Sequence, residues 1–278
     1  MATLIADCGA TKCDWSLLEN NKVKKIVTQG FSLYFLSAEN VKQLLITELL
    51  SKIKNTTVLK VYFYGTGIGN KVNAQQMKQI LKQIFKGALI EVNTDLLAAA
   101  RSLCGNQKGI ACILGTGSNS CYYDGKKIIK SNPSLGFVLG DEGSGAYLGK
   151  KVLQYYLYQT FDEELTINFD KSYNTNKATI LNSIYKSNTP NRYLASFASF
   201  LSENRGHYMI ENIIEDGLND FFQNHIYKYR ESWLHPIHFT GGIAYTYKDV
   251  IKELCHSYEL EVGNFSKSPM QGLLQYHQ

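Results

Sequence analysis

Acidic, basic and hydroxyl side chains surround a turn of small residues near the start of the chain, in the sequence "DCGATKCDW" at 7–15. The turn follows the apolar run "ATLIA", so the sequence predicts a strand that ends at Asp7. A turn through glycine and alanine exposes successive backbone N–H groups, which form a concavity suited to anions. The sequence therefore predicts a phosphate-binding turn, with Asp7 placed to hold a cation.

Four more glycine turns occur along the chain, with the sequences "GTGIG" at 65–69, "GTGS" at 115–118, "GDEGSG" at 140–145 and "GGIA" at 241–244. One glycine turn after a strand is most often ordinary turn chemistry. Several such turns at strand ends in one chain predict a cleft where the backbone approaches a ligand closely. None of them has the spacing of a P-loop or of a Rossmann dinucleotide-binding turn.

Composition restricts the class of protein. The chain has 278 residues, 44% of them hydrophobic and 19% charged, with a net charge of +5. The lysines are interleaved with Glu and Gln, so the sequence predicts no nucleic-acid partner. The sequence contains no window of about twenty uninterrupted apolar residues, so it predicts no membrane-spanning helix. The apolar run before Asp7 is too short for a signal peptide, and a cytoplasmic location is expected.

Cysteine and histidine usage does not favour a metal centre. The 6 cysteines are scattered without a C-x-x-C pair, which predicts reduced and largely buried thiols. His235 and His238 lie where a strand is expected to begin and not on one helix face, so a zinc site is not favoured.

The first part of the chain predicts an α/β domain. Three short strands, "ATLIAD", "WSLLE" and "KKIVTQ", form a meander and are followed by a helix over 38–54. The strand "VLKVYFYG", a helix over 74–85, the strand "ALIEV" and a helix after Asp95 complete it.

The pattern then restarts with "KGIACILGTGSNS" and the hairpin "CYYDGKKIIK", which indicates a duplicated architecture. Helical segments fill most of 145–230, and "IHFTGGIA" supplies a further strand. We expect an N-terminal domain over 1–107, to which a C-terminal helix within 268–278 returns. The second domain covers 108–267 and carries a helical insertion.

Several segments together resemble the motifs of a known family. "DCGATKCDW" is similar to its first phosphate motif, "LGTGSNS" to the second, "FTGGIA" to the adenosine motif and "LGDEGSGAYLG" to its Gly-Asp-Glu-Gly-Ser segment. Over essentially its whole length the chain resembles the family that unites N-acetylglucosamine kinases with the ATPase activators of benzoyl-CoA-type reductases, within the actin-like sugar-kinase superfamily. The resemblance implies an α/β fold with two ribonuclease-H-like (actin-like ATPase) domains flanking a nucleotide and substrate cleft. It also implies ATP and Mg²⁺ as cofactors and a small-molecule amino sugar as the phosphoryl acceptor.

The resemblance also assigns roles to the nucleotide-binding segments. Asp7 would hold hydrated Mg²⁺, and Gly9, Thr11 and Lys12 would face the terminal phosphates. The second turn would close on the β- and γ-phosphates through Gly115, Thr116, Gly117 and Ser118, with Thr116 also near the sugar. Gly241 and Gly242 would let the adenosine lie against the backbone.

Three carboxylates match the family's catalytic and sugar-binding positions. Asp95 would be the general base that accepts the proton of the sugar hydroxyl; alternatively it caps the helix that follows. Asp141 would hydrogen-bond sugar hydroxyls with support from Glu142, and its alternative role is also that of a helix cap.

Two positions depart from the family pattern. Cys8 replaces a glycine in the first phosphate turn, so the backbone there must accommodate a Cβ atom. Ser32 stands where the family commonly has a sugar-binding asparagine, which leaves the identity of the acceptor open.

Two other functions stay open at the level of sequence. One is an ATPase that drives a partner redox enzyme, although Cys255 is the only cysteine after Gly242 and the activators use such cysteines to ligate an iron–sulfur cluster. The other is a nucleotide-binding protein without sugar kinase activity. The resemblance further suggests a homodimer formed through the second domain.

Overall fold

The computed structural model describes residues 2–9, 12–20, 22–34, 36–54, 56–187 and 189–278. The chain divides into two compact units, which are Met1–Gly105 with Pro269–Gln278 (unit 1) and Asn106–Ser268 (unit 2). Within the described ranges no helix combines the length and the apolar character needed to cross a membrane.

Unit 1 is built on a five-stranded sheet with the order β3-β2-β1-β4-β5. Its strands are β1 (Ala2–Cys8), β2 (Lys12–Glu19), β3 (Lys22–Gln29), β4 (Val58–Gly65) and β5 (Leu89–Thr94). The first three are antiparallel, which confirms the predicted meander, and β4 and β5 run parallel to β1. The carboxyl ends of β1, β4 and β5 therefore meet at one edge of the sheet, where ligands of such sheets commonly bind.

This sheet is covered by α1 (Ala38–Leu44), α2 (Lys71–Ile84) and α3 (Asp95–Cys104), together with the last helix of the chain. The expected single helix over 38–54 is wrong in its second half, because α1 continues as a π-helical turn at Leu45–Leu49 and a 3₁₀ turn at Leu50–Lys52. Val41, Leu45 and Leu49 are nevertheless all fully buried, so the apolar face that the spacing predicts does pack on the core.

Unit 2 repeats the arrangement with the strand order β10-β9-β6-β7-β8. Its strands are β6 (Gly109–Leu114), β7 (Ser118–Tyr123), β8 (Ile128–Ser131), β9 (Ile237–Thr240) and β10 (Val262–Ser266). Since the two sheets have equivalent orders and directions, the predicted duplication is confirmed. Sequence analysis missed β10 because its residues are only partly buried and show no apolar alternation.

Nine described helices belong to unit 2: α4 (Gly136–Leu139), α5 (Gly145–Leu157), α6 (Glu163–Tyr173), α7 (Lys177–Lys186), α8 (Pro190–Ser196), α9 (Ser199–Glu203), α10 (Tyr208–Asn224), α11 (Gly242–Thr246) and α12 (Lys248–Ser257). Two 3₁₀ turns, Ile226–Lys228 and Arg230–Trp233, connect α10 to β9. Helix α5 packs closely on α8, since a Cβ atom on Gly149 would overlap the carbonyl of Leu194.

The last helix, α13 (Met270–Tyr276), belongs to unit 1. Leu273 is fully buried there with Ile5 and Ala98. His277 follows the helix, stacks on Tyr62 with ring centroids 3.8 Å apart, and places Nε2 2.8 Å from the hydroxyl of Tyr64.

Candidate active site

Asp7 lies near the carboxyl end of β1, where it pairs with Asp14 of β2 in the antiparallel register. Removal from solvent is the main cause that raises the pKa of Asp7, and the negative charges of Asp95 and Asp14 raise it further, to about 7. The positive charge of Lys12 opposes this effect only in part. Asp7 is thus a carboxylate whose environment favours an added positive charge.

Asp95 is the first residue of α3, directly after β5. The N-cap of this helix is Thr94, whose Oγ1 accepts the Leu97 N–H at 3.2 Å, so Asp95 does not act as the cap. One oxygen of Asp95 accepts the Leu96 N–H at 2.8 Å, and the Thr66 side chain hydrogen-bonds the carboxylate. Burial outweighs these bonds and raises the pKa of Asp95 to about 6.

The first phosphate turn connects β1 to β2. The N–H of Gly9 donates to the carbonyl of Lys12 at 2.9 Å, and Lys12 Nζ lies 2.8 Å from Asp14 Oδ1. The Lys12 side chain is 55% exposed, so it can exchange Asp14 for another anion. Thr11 lies outside the described residues. Cys8 is buried, with Sγ 3.9 Å from the carbonyl of Phe31, so its side chain is accommodated in the core.

Ser32 lies beside the glycine turn that follows β4. A Cβ atom on Gly67, whose φ is +76°, would come within 2.6 Å of Ser32 Oγ. Ser32 is buried and its Oγ accepts the Tyr34 N–H at 3.3 Å. Its hydroxyl group keeps its proton and one further lone pair, so it can donate to a sugar hydroxyl or accept from it. The neighbouring Thr66 contacts Asp95, a contact that sequence analysis did not assign although it had identified the turn.

The second phosphate turn is bonded through its carbonyl groups to the start of α5. Gly145 N–H donates to Gly115 O at 2.8 Å, and Ala146 N–H donates to Thr116 O at 3.0 Å. In a trans peptide the N–H points opposite to the preceding carbonyl. The N–H groups of Thr116 and Gly117 therefore point away from α5, as an anion site requires.

Ser118 ends this turn with a buried hydroxyl group. Within the part of the chain that the structure describes, Ser118 Oγ has no hydrogen-bond partner. A buried polar atom without a partner is costly and points to an external ligand or water.

Asp141 contacts the same turn and has a left-handed backbone, with φ +59°. Its Oδ1 accepts the Ser118 N–H at 3.3 Å. The alternative that Asp141 caps α5 is wrong, because Ser144 is the N-cap and accepts the Tyr147 N–H at 3.2 Å. Burial raises the pKa of Asp141, and the charge of Glu142 adds to this.

Glu142 is directed toward a buried histidine that sequence analysis did not single out. Its Oε2 lies 3.4 Å from Nε2 of His225, and the His225 ring stacks on Phe221 with centroids 4.6 Å apart. Burial lowers the pKa of His225, although the charge of Glu142 opposes this. His225 follows α10 in the chain, far from every glycine turn, so no sequence signal marks it.

The Gly-Gly turn after β9 packs against the second phosphate turn. Gly241 has φ +117°, and a Cβ atom there would overlap the carbonyl of Leu114. By contrast, a Cβ atom on Gly242 or on Gly115 would meet nothing within 4 Å. The fold thus requires glycine at 241, whereas glycine at 115 and 242 leaves open space for a ligand.

The structure gathers the site residues predicted from the sequence into two sets. Unit 1 holds Asp7, Gly9, Lys12, Ser32 and Asp95 at the carboxyl edge of its sheet. Unit 2 holds Gly115, Thr116, Gly117, Ser118, Asp141, Glu142, Gly241 and Gly242 on adjoining loops.

The donor set fits Mg²⁺ with a nucleotide. Among the described residues, no three His, Cys, Asp or Glu side chains group into a site that could hold a metal. Mg²⁺ usually keeps several waters and takes one or two carboxylates together with substrate phosphates. In unit 1, Asp7 supplies such a carboxylate. In unit 2, the Ser118 hydroxyl, which has no partner among the described residues, and the open space at Gly115 and Gly242 suit a nucleotide.

Three solved structures resemble this one over nearly their full lengths. A proposed N-acetylglucosamine kinase from Porphyromonas gingivalis has a TM-score of 0.95 and 35% sequence identity, covering 99% of this chain and 98% of that chain. A proposed N-acetylglucosamine kinase from Chromobacterium violaceum has a TM-score of 0.79 and 17% identity, covering 100% and 99% of the two chains. A ROK family glucokinase from Streptomyces griseus, in complex with glucose and AMPPNP, has a TM-score of 0.59 and 14% identity, covering 99% and 98%. No protein-family model and no curated protein sequence matches the chain.

These likenesses define the class of protein. The fold is that of the two-domain actin-like sugar kinases, as the resemblance implies. At 35% identity over nearly its full length to the Porphyromonas gingivalis protein, the chain belongs to the N-acetylglucosamine kinase family.

Proposed function

We propose that the protein transfers the γ-phosphoryl group of ATP to a hydroxyl group of N-acetylglucosamine or a related amino sugar, with Mg²⁺ as the metal ion. The carrying observation is the pair of carboxylates in unit 1, in which the charge of Asp95 helps to raise the pKa of Asp7 to about 7. Such a pair suits a reaction that needs one carboxylate for a metal ion and another for a proton. The family to which the chain belongs supports the choice of acceptor.

Asp95 acts as the general base in this proposal. Its pKa of about 6 keeps it mostly ionised at neutral pH and close to the value at which a base works best. The bonds from Leu96 N–H and the Thr66 side chain fix the carboxylate, so the proton-accepting oxygen is held in one orientation.

Each unit carries its own candidate phosphate-binding groups. Asp7 would hold Mg²⁺, which when bound supplies positive charge beside the transferred phosphoryl group. Lys12 would leave Asp14 and turn its ammonium group to the terminal phosphates. The N–H groups of Thr116 and Gly117 and the hydroxyl of Ser118 would bind phosphate oxygens.

The remaining residues would position the two substrates. Asp141, with Glu142 beside it, would accept hydrogen bonds from sugar hydroxyls, and Ser32 would donate its hydroxyl proton to the sugar. The open space at Gly242 would admit the adenosine. Use of ATP and an amino sugar suits a cytoplasmic protein, and the family resemblance supports a homodimer formed through unit 2, which light scattering at several concentrations tests.

The first experiment measures ADP release with Mg-ATP and a panel of acceptors: glucosamine, N-acetylglucosamine, N-acetylmuramic acid, N-acetylmannosamine, glucose and a blank without sugar. Release that one amino sugar stimulates, with a singly phosphorylated sugar identified by mass spectrometry, supports the proposal and names the acceptor. Steady release in the blank that no sugar changes would contradict it and favour the ATPase-activator alternative.

Asp95→Asn separates catalysis from binding. The variant should bind nucleotide as the wild type does and lose turnover by about 10²- to 10⁴-fold, the usual contribution of a general base. Normal turnover by Asp95→Asn would show that another group accepts the proton.

A further inference from the structure

A buried chain of hydrogen bonds extends from Glu142 into unit 2. Glu142 Oε2 lies 3.4 Å from His225 Nε2, and His225 Nδ1 lies 3.2 Å from Ser120 Oγ. Ser120 Oγ is 3.0 Å from the hydroxyl of Tyr229, which donates to the Ser120 carbonyl at 3.0 Å. Asn132 closes the chain by donating its N–H to the Tyr229 oxygen at 3.0 Å and its side-chain amide to the His225 carbonyl at 2.9 Å.

The Glu142 carboxylate determines where the His225 proton lies. An ionised carboxylate can only accept, so the neutral His225 ring carries its proton on Nε2, which faces Glu142 Oε2. Nδ1 is then an acceptor, and the Ser120 hydroxyl donates to it while Tyr229 donates its own proton to the Ser120 carbonyl. The hydrogen bonds from Ser120 to His225 and from His225 to Glu142 thus all run toward Glu142, which is the arrangement that best holds an ionised carboxylate.

The chain of bonds also joins two segments of the proposed site. Ser120 lies on β7, two residues after the turn 115–118, and Glu142 lies in the segment 140–145. His225 and Ser120 are both buried, at 6% and 0% exposure, so neither can contact a ligand directly. Their geometry acts on a substrate only through Glu142 and the adjacent Asp141.

We propose that His225, held by Ser120 in the Nε2–H tautomer, is a positioning residue that fixes Glu142 and with it the sugar-binding segment 140–145. The inference deepens the proposed sugar kinase function and rests on it. His225 thus influences the affinity for the sugar acceptor, but not the affinity for ATP, without contacting the substrate itself.

Two substitutions at His225 separate its two hydrogen bonds. In His225→Gln the side-chain amide occupies the place of Nε2 and can still donate to Glu142, whereas in His225→Asn it occupies the place of Nδ1 and bonds only Ser120. We expect His225→Asn to raise the KM for N-acetylglucosamine about tenfold, the loss of one hydrogen bond to a charged group. His225→Gln should rescue most of this change, and the KM for ATP should stay constant in both variants. Equal sugar KM values in the two variants would overturn the proposal.

A matched pair of serine substitutions tests the next bond in the chain. Ser120→Ala frees Nδ1 of His225, while Ser232→Ala removes a hydroxyl that is equally buried in unit 2 but bonds the Tyr229 carbonyl at 2.7 Å, outside the path to Glu142. Ser120→Ala should raise the KM for N-acetylglucosamine about threefold, by loss of one neutral hydrogen bond. Ser232→Ala should leave it unchanged, and identical effects of both substitutions would contradict the positioning role.

NMR of the ¹⁵N-histidine-labelled protein provides a readout that does not need the kinase reaction. His225 should show a protonated Nε2 and an unprotonated Nδ1, and Ser120→Ala should shift the Nδ1 resonance. A proton on Nδ1 would overturn the proposal. If the wild-type protein phosphorylates no sugar while this tautomer is found, the proposed function fails and the hydrogen-bond chain stands.

Discussion

The carboxylate of Asp95 acts electrostatically on that of Asp7, since its negative charge is the largest cause after desolvation that raises the pKa of Asp7 to about 7. The two side chains come from different elements, β1 and the first turn of α3, and the parallel arrangement of β1, β4 and β5 brings them to one edge. Without a bound cation, the negative charges of Asp7 and Asp95 repel each other at pH 8. A bound cation would remove that repulsion, and this links the state of the two carboxylates to metal binding.

Metal binding should therefore depend on pH. A proton on Asp7 competes with Mg²⁺ below pH 7, so the apparent affinity for Mg²⁺ should fall about tenfold between pH 8 and pH 6. Titration of Mg²⁺ at fixed ATP, followed by initial rates at pH 6, 7 and 8, measures this change. Calorimetry in buffers of different ionisation enthalpy should detect proton release on binding at pH 6. An affinity that does not change over this range would exclude Asp7 as the ligand.

The same pKa value has a consequence for stability. Because the pKa of Asp7 rises from 3.8 to about 7 on folding, the folded state binds more protons between these values, and its stability falls as pH rises through this range. Asp7→Asn removes the ionisable carboxyl group and therefore removes this loss of stability at higher pH. The nucleotide-free variant should melt about 2–5 °C above the wild type at pH 8, with a smaller difference at pH 5. Turnover should be lost in the same variant, and an equal gain in melting temperature at both pH values would speak against the raised pKa.

Alanine substitutions at the glycines of the two nucleotide segments in unit 2 should differ in their effects on stability and on ATP binding. Gly115→Ala and Gly242→Ala place a Cβ atom in open space, so both proteins should fold with stability within about 1 kcal/mol of the wild type. Each should weaken ATP binding at least about tenfold if the nucleotide occupies that space. Gly241→Ala is the control for the fold, because its Cβ atom would overlap the Leu114 carbonyl and should destabilise the protein. Unchanged ATP affinity in both Gly115→Ala and Gly242→Ala would show that the nucleotide does not bind in the space beside these glycines.

Asp141 can be tested without disturbing its backbone. Asparagine tolerates the left-handed φ of +59° and keeps an acceptor for the Ser118 N–H, so Asp141→Asn should fold as the wild type does. Loss of the charged acceptor should raise the KM for the sugar about tenfold or more, with little change in the KM for ATP. A larger effect on ATP than on the sugar would assign Asp141 to the nucleotide.

The strands other than β10 and the positions of Asp7 and Asp95 at strand ends could be predicted because they depend on local patterns. Apolar runs that end at glycine or at a carboxylate mark the strand ends, and the repeated pattern marks the second sheet. Contacts that depend on tertiary packing could not be predicted. Thr66 reaches Asp95 only because β4 and β5 are neighbours, and His225 reaches Glu142 only through the packing of unit 2.

Glycines show the same limit of sequence analysis. Gly145 and Gly149 come nearest to the two glycines of a P-loop but have one residue too few between them, and Gly149 is needed where α5 contacts the backbone of α8. The replacement of a family glycine by Cys8 also has a packing explanation, since its side chain fills the core of unit 1. The sequence alone does not distinguish a glycine that makes room for a ligand from one that makes room for the chain itself.

Substitution of Ser118 by alanine should not destabilise the nucleotide-free protein but should weaken its use of ATP. Its buried Oγ has no partner among the described residues, so Ser118→Ala removes an unsatisfied polar atom and should leave the nucleotide-free protein as stable as the wild type or about 1–2 kcal/mol more stable. If the hydroxyl binds a phosphate oxygen, the same substitution should raise the KM for ATP about tenfold. Urea unfolding without nucleotide and initial rates at saturating sugar measure the two effects. A loss of stability would show that the hydroxyl has a partner within the protein. An unchanged KM for ATP would show that Ser118 does not bind a phosphate oxygen.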